Sequence, residues 1–341
     1  MMDALAGARA DRDGGGPWSR AFFFTNPACP ARRAGTLLPL LSAEPVEPAY
    51  LTLDEALERQ LARISEVSEF GSVPELRFAN LADAPVLLVD GEELVGAKQN
   101  RILNLTVLVG AHKEGVIPVS FVEQGRWAYR SRQFSSAKRK LFASARAKKM
   151  ARVSESMARS GSRRSDQGEV WQDIGVKFSQ MRVESDSMAM ADLYQAREVD
   201  LERYKDAFKP VPGQVGAVVA VDGKVAGVEL FDAQRTLALL LEKIVSSYAM
   251  DVVGDDLRTP HPGPLPQGER GNGKQQGADS LTYKAVQDFL REMQGAASQE
   301  HPAIAEGTDV RLSAPHLAGA ALVDQGRVVH LAAFRLAEEV G

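Results

Sequence analysis

Apolar and polar residues alternate along much of residues 73–122, and this period of two predicts short β-strands. Arg101–Val109 places its apolar residues on one face, and Val116–Val122 has the same pattern after a loop at Gly110–Gly115. Short strands joined by tight loops favour antiparallel pairing. We therefore expect an antiparallel β-sheet here, arranged as a sandwich or a partial barrel.

Longer amphipathic segments follow. Phe134–Arg159, which is rich in Ala, Lys and Arg, and Thr236–Val253 both have helical spacing. Asp166-x-x-Glu169 resembles a capping box and predicts the start of another helix. Two more hairpins are predicted at residues 215–231 and 320–334, the second closing the main sheet. The predicted fold class is α+β, with an antiparallel sheet covered by helices in a single domain.

Two segments lack a core-forming pattern. Residues 1–35 are rich in Ala, Arg, Gly and Pro, and we interpret them as a disordered leader. Thr259–Gly271 contains four prolines in thirteen residues, which predicts a disordered Pro/Gly-rich insertion at about residues 254–280. Residues 36–341 are otherwise expected to form the single α+β domain.

Charge is distributed unevenly, although the net charge of the 341 residues is only -4. Residues 126–164 hold 13 Lys and Arg and a single acid, Glu155. A basic helix over residues 138–152 could contact nucleic acid or an acidic protein, or it could lie against the acidic remainder of the chain.

Composition also bears on location and on metals. No apolar run is long enough for a membrane span, and the only cysteine is Cys29, which is typical of a reducing compartment. We expect a cytoplasmic protein. The five histidines form no pair at helix-face spacing, so the sequence does not predict a metal site.

Two polar tracts border the strands that should be buried, at residues 91–104 and 118–127. If the intervening strands pair, both tracts meet at one end of the sheet. Two carboxylates there could act as acid and base, cations and amides could hold a phosphate or carboxylate, and an indole could stack on a base or sugar. The candidate catalytic residues are Glu93 and Glu123, and the candidate ligand-binding residues are Lys98, Gln99, Asn100, Gln124, Arg126 and Trp127.

A second anion-binding element is predicted where Arg164 precedes the helix that Asp166 opens, because helix N-termini bind anions through unpaired amides. The alternative for Arg164 is a helix cap preceded by solvated arginines, and the alternative for the two polar tracts is a network that only stabilises the fold. No nucleotide-binding loop of the Gly-x-x-x-x-Gly-Lys type and no hydrolase elbow occurs.

The strings Glu-Glu-Leu-Val-Gly-Ala-Lys-Gln-Asn-Arg from Glu92 and Val-Glu-Gln-Gly-Arg-Trp from Val122, with Arg-Ser-Asp-Gln from Arg164, resemble one bacterial and archaeal family. That family is named for association with ADP-ribosylglycohydrolase and rhodanese-phosphatase superfamily proteins. The resemblance implies a link to ADP-ribose or NAD-derived nucleotides without giving a reaction. The hypothesis is binding or processing of a phosphorylated, nucleotide-like small molecule. Substrate, reaction, cofactor, metal dependence and oligomeric state stay open.

Overall fold

A seven-stranded antiparallel sheet forms the largest layer of the protein. The computed structural model describes residues 35–43, 46–67, 74–125, 131, 133–253 and 283–337. The strand order in this sheet is β1-β11-β12-β16-β15-β14-β13. These strands are β1 (Gly35–Leu41), β11 (Gln214–Val221), β12 (Lys224–Phe231), β13 (Ala297–Pro302), β14 (Thr308–Ala314), β15 (Leu317–Asp324) and β16 (Arg327–Arg335).

Two smaller sheets are built from residues 51–140. They consist of β2 (Leu51–Thr52), β3 (Ala62–Glu66), β4 (Glu75–Asn80), β5 (Val86–Leu88), β6 (Glu92–Val95), β7 (Arg101–Leu103), β8 (Val107–Val109), β9 (Glu114–Phe121) and β10 (Ser135–Lys140). One sheet has the order β10-β6-β7-β9-β4-β3 and the other β2-β5-β8. The pair β2–β5 is parallel, unlike its neighbours. Both sheets contribute to one shared apolar core.

Seven helices cover these sheets within the described part of the chain. They are α1 (Leu53–Glu58), α2 (Ala143–Ser160), α3 (Gln167–Met181), α4 (Met190–Ala196), α5 (Glu198–Ala207), α6 (Gln234–Val253) and α7 (Tyr283–Gln294). Alternation along β11 separates two cores: Ala217 and Val219 face the core that contains α2 and α6, whereas Val218 and Ala220 face α7. Among the described residues, no helix is long and apolar enough to cross a membrane.

The predicted α+β class, with antiparallel sheets and covering helices, is confirmed. The hairpins at residues 215–231 and 320–334 form as predicted, with positive φ at Asp222-Gly223 and Gln325-Gly326 as tight hairpin turns require. They do not close the sheet of residues 73–122, however, but belong to the separate seven-stranded sheet. The predicted leader lies outside the described residues except for Gly35, and so does the predicted insertion at about residues 254–280.

Two predicted elements differ from the structure. The strand predicted at Arg101–Val109 is interrupted: β7 pairs with β9, whereas β8 pairs with β5 in another sheet. The basic helix predicted from Phe134 begins only at Ala143, because Ser135–Lys140 pairs with β6 as a strand. A positive φ of 54° at Lys138 interrupts that ladder. Pairing with the buried strand β6, together with the ion pair of Arg139 with Glu93, outweighs the helical propensity of these lysines and arginines.

Candidate functional site

The pairing of β7 with β9 brings the two polar tracts together. Arg101 lies opposite Phe121 in the register, and the amide of Val122 donates to the carbonyl oxygen of Asn100 at 3.2 Å. Residues 98–100 therefore run beside residues 122–124 just beyond the paired strands. This juxtaposition places the polar residues of both tracts at one end of β7 and β9.

Glu93, Asn100 and Glu123 form the centre of this group. The side-chain amide of Asn100 donates to Oε1 of Glu93 at 3.0 Å, and its backbone amide donates to Oε2 of Glu123 at 3.2 Å. Glu93 is fully buried, and Asn100 and Glu123 are each 2% exposed. The two predicted catalytic carboxylates thus contact the same asparagine in an environment from which water is largely excluded.

Arg139 supplies the positive charge beside Glu93. Its Nε donates to Oε2 of Glu93 at 2.6 Å from the neighbouring strand β10. Burial raises the pKa of Glu93, and the Arg139 charge offsets part of that rise. The guanidinium lies 5.7 Å from the ring centre of Tyr194 and remains partly exposed. Sequence reasoning did not assign Arg139 to the site, because this segment was interpreted as an outward-facing basic helix.

The remaining predicted residues of the first tract lie around this centre. Gln99 is buried, and its side-chain oxygen has no hydrogen-bond partner within the described part of the chain. Its backbone carbonyl accepts from Nη1 of Arg101 at 2.6 Å. Lys98 is half-buried, and its charge lowers the pKa of Glu66, although burial keeps that pKa raised overall. Gln124 is exposed at the edge of the group.

Arg101 anchors the strand end that carries these groups. It is fully buried, its guanidinium carbon lies 3.8 Å from the ring centre of Phe121, and Nη2 lies 3.2 Å from Oε1 of Glu66. A desolvated cation on an aromatic face with a carboxylate partner is held strongly in place. Arg101 therefore fixes the position of Gln99 and Asn100 relative to Phe121.

The Arg-Ser-Asp-Gln string connects α3 to the same strand end. The Gln167 side chain accepts from the backbone amide of Phe121 at 2.8 Å and donates to its carbonyl at 2.9 Å. The hydroxyl oxygens of Ser165 and Ser120 lie 2.5 Å apart. Asp166 caps α3 by accepting from the amide of Glu169 at 3.0 Å, as predicted. This string positions the backbone two residues before Glu123.

Arg164 is not brought into the group. Its exposed guanidinium lies 4.0 Å from Glu75, which is paired with Pro118 five residues before Glu123. The N-terminus of α3 is occupied by the Asp166 carboxylate instead of being open to an anion. Arg126 and Trp127, the other two predicted ligand-binding residues, lie outside the described residues.

The basic segment is mostly neutralised by carboxylates from the rest of the protein. Lys138 contacts Glu58 and Lys148 contacts Asp173, both through surface ion pairs. Other cations of the segment point inward, namely Lys140, Arg146 and Lys149. The interpretation that the segment lies against the acidic remainder is therefore the one that fits, and a continuous basic helix over residues 138–152 is wrong.

A sealed ionic network results from these inward cations, and we call it the central network. Arg146 donates from Nη1 to Glu229 at 2.5 Å and from Nε to Asp90 at 3.2 Å. Lys140 donates to the other oxygen of Glu229 at 3.0 Å, and Lys149 donates to Asp90. Burial alone would raise the pKa of both carboxyls, but the neighbouring cations outweigh it and lower them.

Burial also lowers the pKa values of two basic side chains at the central network, His330 and Lys149. Burial lowers the pKa of His330, whose Nε2 lies 3.6 Å from Glu229, and it lowers the pKa of Lys149 to about 8 despite the Asp90 carboxylate. Among the described residues, no three His, Cys, Asp or Glu side chains are grouped so that they could hold a metal ion. The ion pairs of the central network connect β10, α2 and β12.

Fold and site together define an α+β protein with a buried carboxylate–amide group at the end of two paired strands. The chain matches the ARPP-1 family, the ARG and Rhodanese-Phosphatase-superfamily-associated Protein domain, over residues 32–334. It therefore belongs to that family, as the resemblance of its polar tracts indicates. Neither the curated proteins nor the solved structures contain a match to it.

Proposed function

We propose that this protein binds or processes a phosphorylated, nucleotide-like small molecule at the group formed by Glu93, Asn100 and Glu123. The observation that carries the proposal is the convergence of two buried carboxylates on one asparagine, at the end of β7 and β9. Buried carboxylates with a perturbed pKa are frequent at functional sites, and Asn100 and Arg139 hold Glu93 in place there. The side-chain oxygen of Gln99, the residue before Asn100, has no hydrogen-bond partner among the described residues, so it could accept a hydrogen bond from a ligand.

The chemistry of the group suggests a division of roles. Carboxylates accept hydrogen bonds from sugar hydroxyls but repel phosphate, so Glu93 and Glu123 would orient the hydroxyls of a ribose. The half-buried Lys98 and the partly exposed Arg139 are the cations suited to a phosphate group. Arg126 and Trp127 remain proposed as a further phosphate contact and a stacking surface.

The same group could carry out acid–base chemistry on the bound molecule. Burial raises the pKa of Glu93, which favours its protonated form as a proton donor. Glu123 would then act as the base, which gives each of the two carboxylates one of the roles suggested by the sequence. The family name, which refers to the ADP-ribosylglycohydrolase superfamily, favours ligands derived from ADP-ribose or NAD. Binding without turnover is the simpler form of the proposal.

Isothermal titration calorimetry with ADP-ribose, NAD and ADP tests the proposal on the full chain. We expect saturable heat with at least one of them and binding at least ten-fold weaker in Glu123→Gln. That loss is equivalent to about 1.4 kcal/mol, which one charge-assisted hydrogen bond can supply. Glu114→Gln is the matched control, because Glu114 is exposed at the other end of the same strand.

Two outcomes contradict the proposal. The absence of heat with all three nucleotides would remove it. Unchanged affinity in Glu123→Gln, together with a lower melting temperature, would assign the group a purely structural role. Binding by wild type and by Glu114→Gln but not by Glu123→Gln distinguishes ligand recognition from a general loss of the fold.

A further inference from the structure

A cleft of about 390 Å³ lies between the helical layer and the seven-stranded sheet. Helices α2 and α3, the beginning of β12 and the end of β16 form its walls. This volume lies in the range of about 300–1,000 Å³ that is usual for small-molecule sites. No residue that lines the cleft belongs to the Glu93–Asn100–Glu123 group.

Four cations from four different elements line the cleft: Lys148, Lys177, Lys224 and Arg335. The only acid among the lining residues is Asp251. Separate elements contribute these charges, so the cationic lining is not a by-product of one basic helix face. An excess of positive charge in a concave site attracts anions.

Three of these four cations have a carboxylate partner, so the unbalanced positive charge of the lining comes from Lys224. Lys177 donates to Asp251 at 2.7 Å and is largely buried. Lys148 and Arg335 reach carboxylates outside the lining, Asp173 and Glu292, and both cations remain partly exposed. Lys224 is exposed and has no ion pair among the described residues.

Asp251 shows how an anion is held in this corner. Its two oxygens accept from the backbone amide and the hydroxyl of Ser144, each at 2.7 Å, in the first turn of α2. The same carboxylate accepts from Lys177. A carboxylate bound by a helix N-terminus and a lysine indicates that the neighbouring surface favours anionic groups.

The rest of the lining is apolar except for Ser144 and Gln180. Apolar side chains from α2, the β11–β12 hairpin and the end of β16 face the same space, and the aromatic ring of Tyr248 contributes as well. These residues are Ala143, Ala147, Val221, Val225, Ala226, Leu336 and Ala337. An apolar floor with a cationic rim suits an organic anion that has a compact apolar or aromatic body and a phosphate group.

We propose that this cleft is a second ligand site, which binds a small organic phosphate through Lys224, Lys148 and Arg335. The phosphate lies at the rim among these three cations, and the organic body lies against Val225 and Ala226. This site differs from the proposed site at Glu93.

Pyridoxal 5′-phosphate is a direct probe, because it combines a phosphate, an aromatic ring and an aldehyde that reacts with lysine. The lysine amine and the aldehyde form an imine and release water, and borohydride then delivers hydride to the imine carbon to give a stable secondary amine. Peptide mass spectrometry after brief labelling should place the modification at Lys224 or Lys148. Pyrophosphate should reduce this labelling at least five-fold, and pyridoxal without phosphate should label these lysines weakly.

Matched surface lysines and arginines provide the controls. Lys113 and Lys209 are exposed and lie outside the cleft, so they should label slowly and without protection by pyrophosphate. Arg335→Gln should weaken pyridoxal 5′-phosphate labelling of Lys224 about ten-fold, as expected for one lost phosphate contact. Arg203→Gln, at an exposed helix position, should leave the labelling of Lys224 unchanged.

Labelling of Lys224 and Lys148 at the rate of Lys113, with no protection by pyrophosphate, would overturn the proposal. The proposal would also be overturned if Lys224 is labelled as fast in Arg335→Gln as in wild type and the circular dichroism spectrum of the variant is native. Labelling at Lys98 that ADP-ribose prevents would report on the Glu93 site alone. The two proposals can therefore fail independently.

Discussion

Charge balance within the central network predicts an order of stabilities that side-chain size alone does not. Two carboxylates, Asp90 and Glu229, lie among three fully or almost fully buried cations, Lys140, Arg146 and Lys149. Removing one cation leaves equal numbers of both charges. Removing one carboxylate leaves three cations with a single counterion.

Arg146→Met should therefore destabilise the protein less than Glu229→Gln, although Arg146 has the larger side chain and each residue makes two ionic hydrogen bonds in the network. Breaking a buried ion pair costs about 3–5 kcal/mol. In Arg146→Met each carboxylate keeps a lysine, Glu229 with Lys140 at 3.0 Å and Asp90 with Lys149. We expect a loss of about 3 kcal/mol there and about 5 kcal/mol for Glu229→Gln, in which the cations repel one another.

Urea-induced unfolding at pH 7, followed by circular dichroism, measures both losses. The double variant Arg146→Met/Glu229→Gln returns the net charge of the central network to its wild-type value, so its loss should be smaller than the sum of the two single losses. Glu242→Gln, at an exposed position of α6, is the control and should change the free energy of unfolding by less than about 0.5 kcal/mol. The reverse order of the single variants, or a loss below about 1 kcal/mol in both, would refute the charge-balance reasoning.

Three shorter predictions concern the same framework. Gln167→Leu should cost about 2–3 kcal/mol in urea unfolding, because it leaves both backbone groups of Phe121 without their partner; unchanged stability would show that water replaces the amide. Asp166→Ala should lower the free energy of unfolding by about 1 kcal/mol through loss of the α3 cap, and Asp166→Asn should retain most of it. In the folded protein Lys149 has a pKa of about 8, which is below its pKa in the unfolded chain. Between these two pKa values the unfolded chain binds more protons than the folded protein, so the free energy of unfolding should increase as the pH rises above about 8. Urea unfolding across that range should show a smaller increase in Lys149→Met than in wild type, and an equal increase would contradict the assignment.

Local patterns in the sequence were sufficient for the hairpins and for the meeting of the polar tracts. Turn residues at Asp222-Gly223 adopt the positive φ angles that a tight hairpin turn needs, and their chemistry is readable in any context. The convergence of Asn100 with Glu123 follows from the strand pairing of Arg101 with Phe121. Both inferences need only short-range geometry and the period of a strand.

The central network could not be inferred in that way. Arg146 reaches Glu229 and Asp90, which are 83 and 56 residues away in the sequence, and only this pairing makes its burial tolerable. A helix rich in Arg and Lys is usually solvated, so the sequence favoured exposure for the same residues. Arg139 was missed as a site residue for the same reason, since its strand pairing with β6 depends on a neighbour more than 40 residues earlier.

Because several cations are buried, fewer cations are accessible to an anionic ligand. Lys140, Arg146 and Lys149 are sealed and bonded to carboxylates, so substituting them should change stability before it changes binding. Anion recognition must then rely on partly exposed cations, which are Lys98 and Arg139 at the first proposed site and the rim of the cleft at the second. A substitution in the central network could instead weaken ligand binding without changing the free energy of unfolding. That result would mean that the ligand reaches the central network through an opening of the fold, which neither proposed site provides.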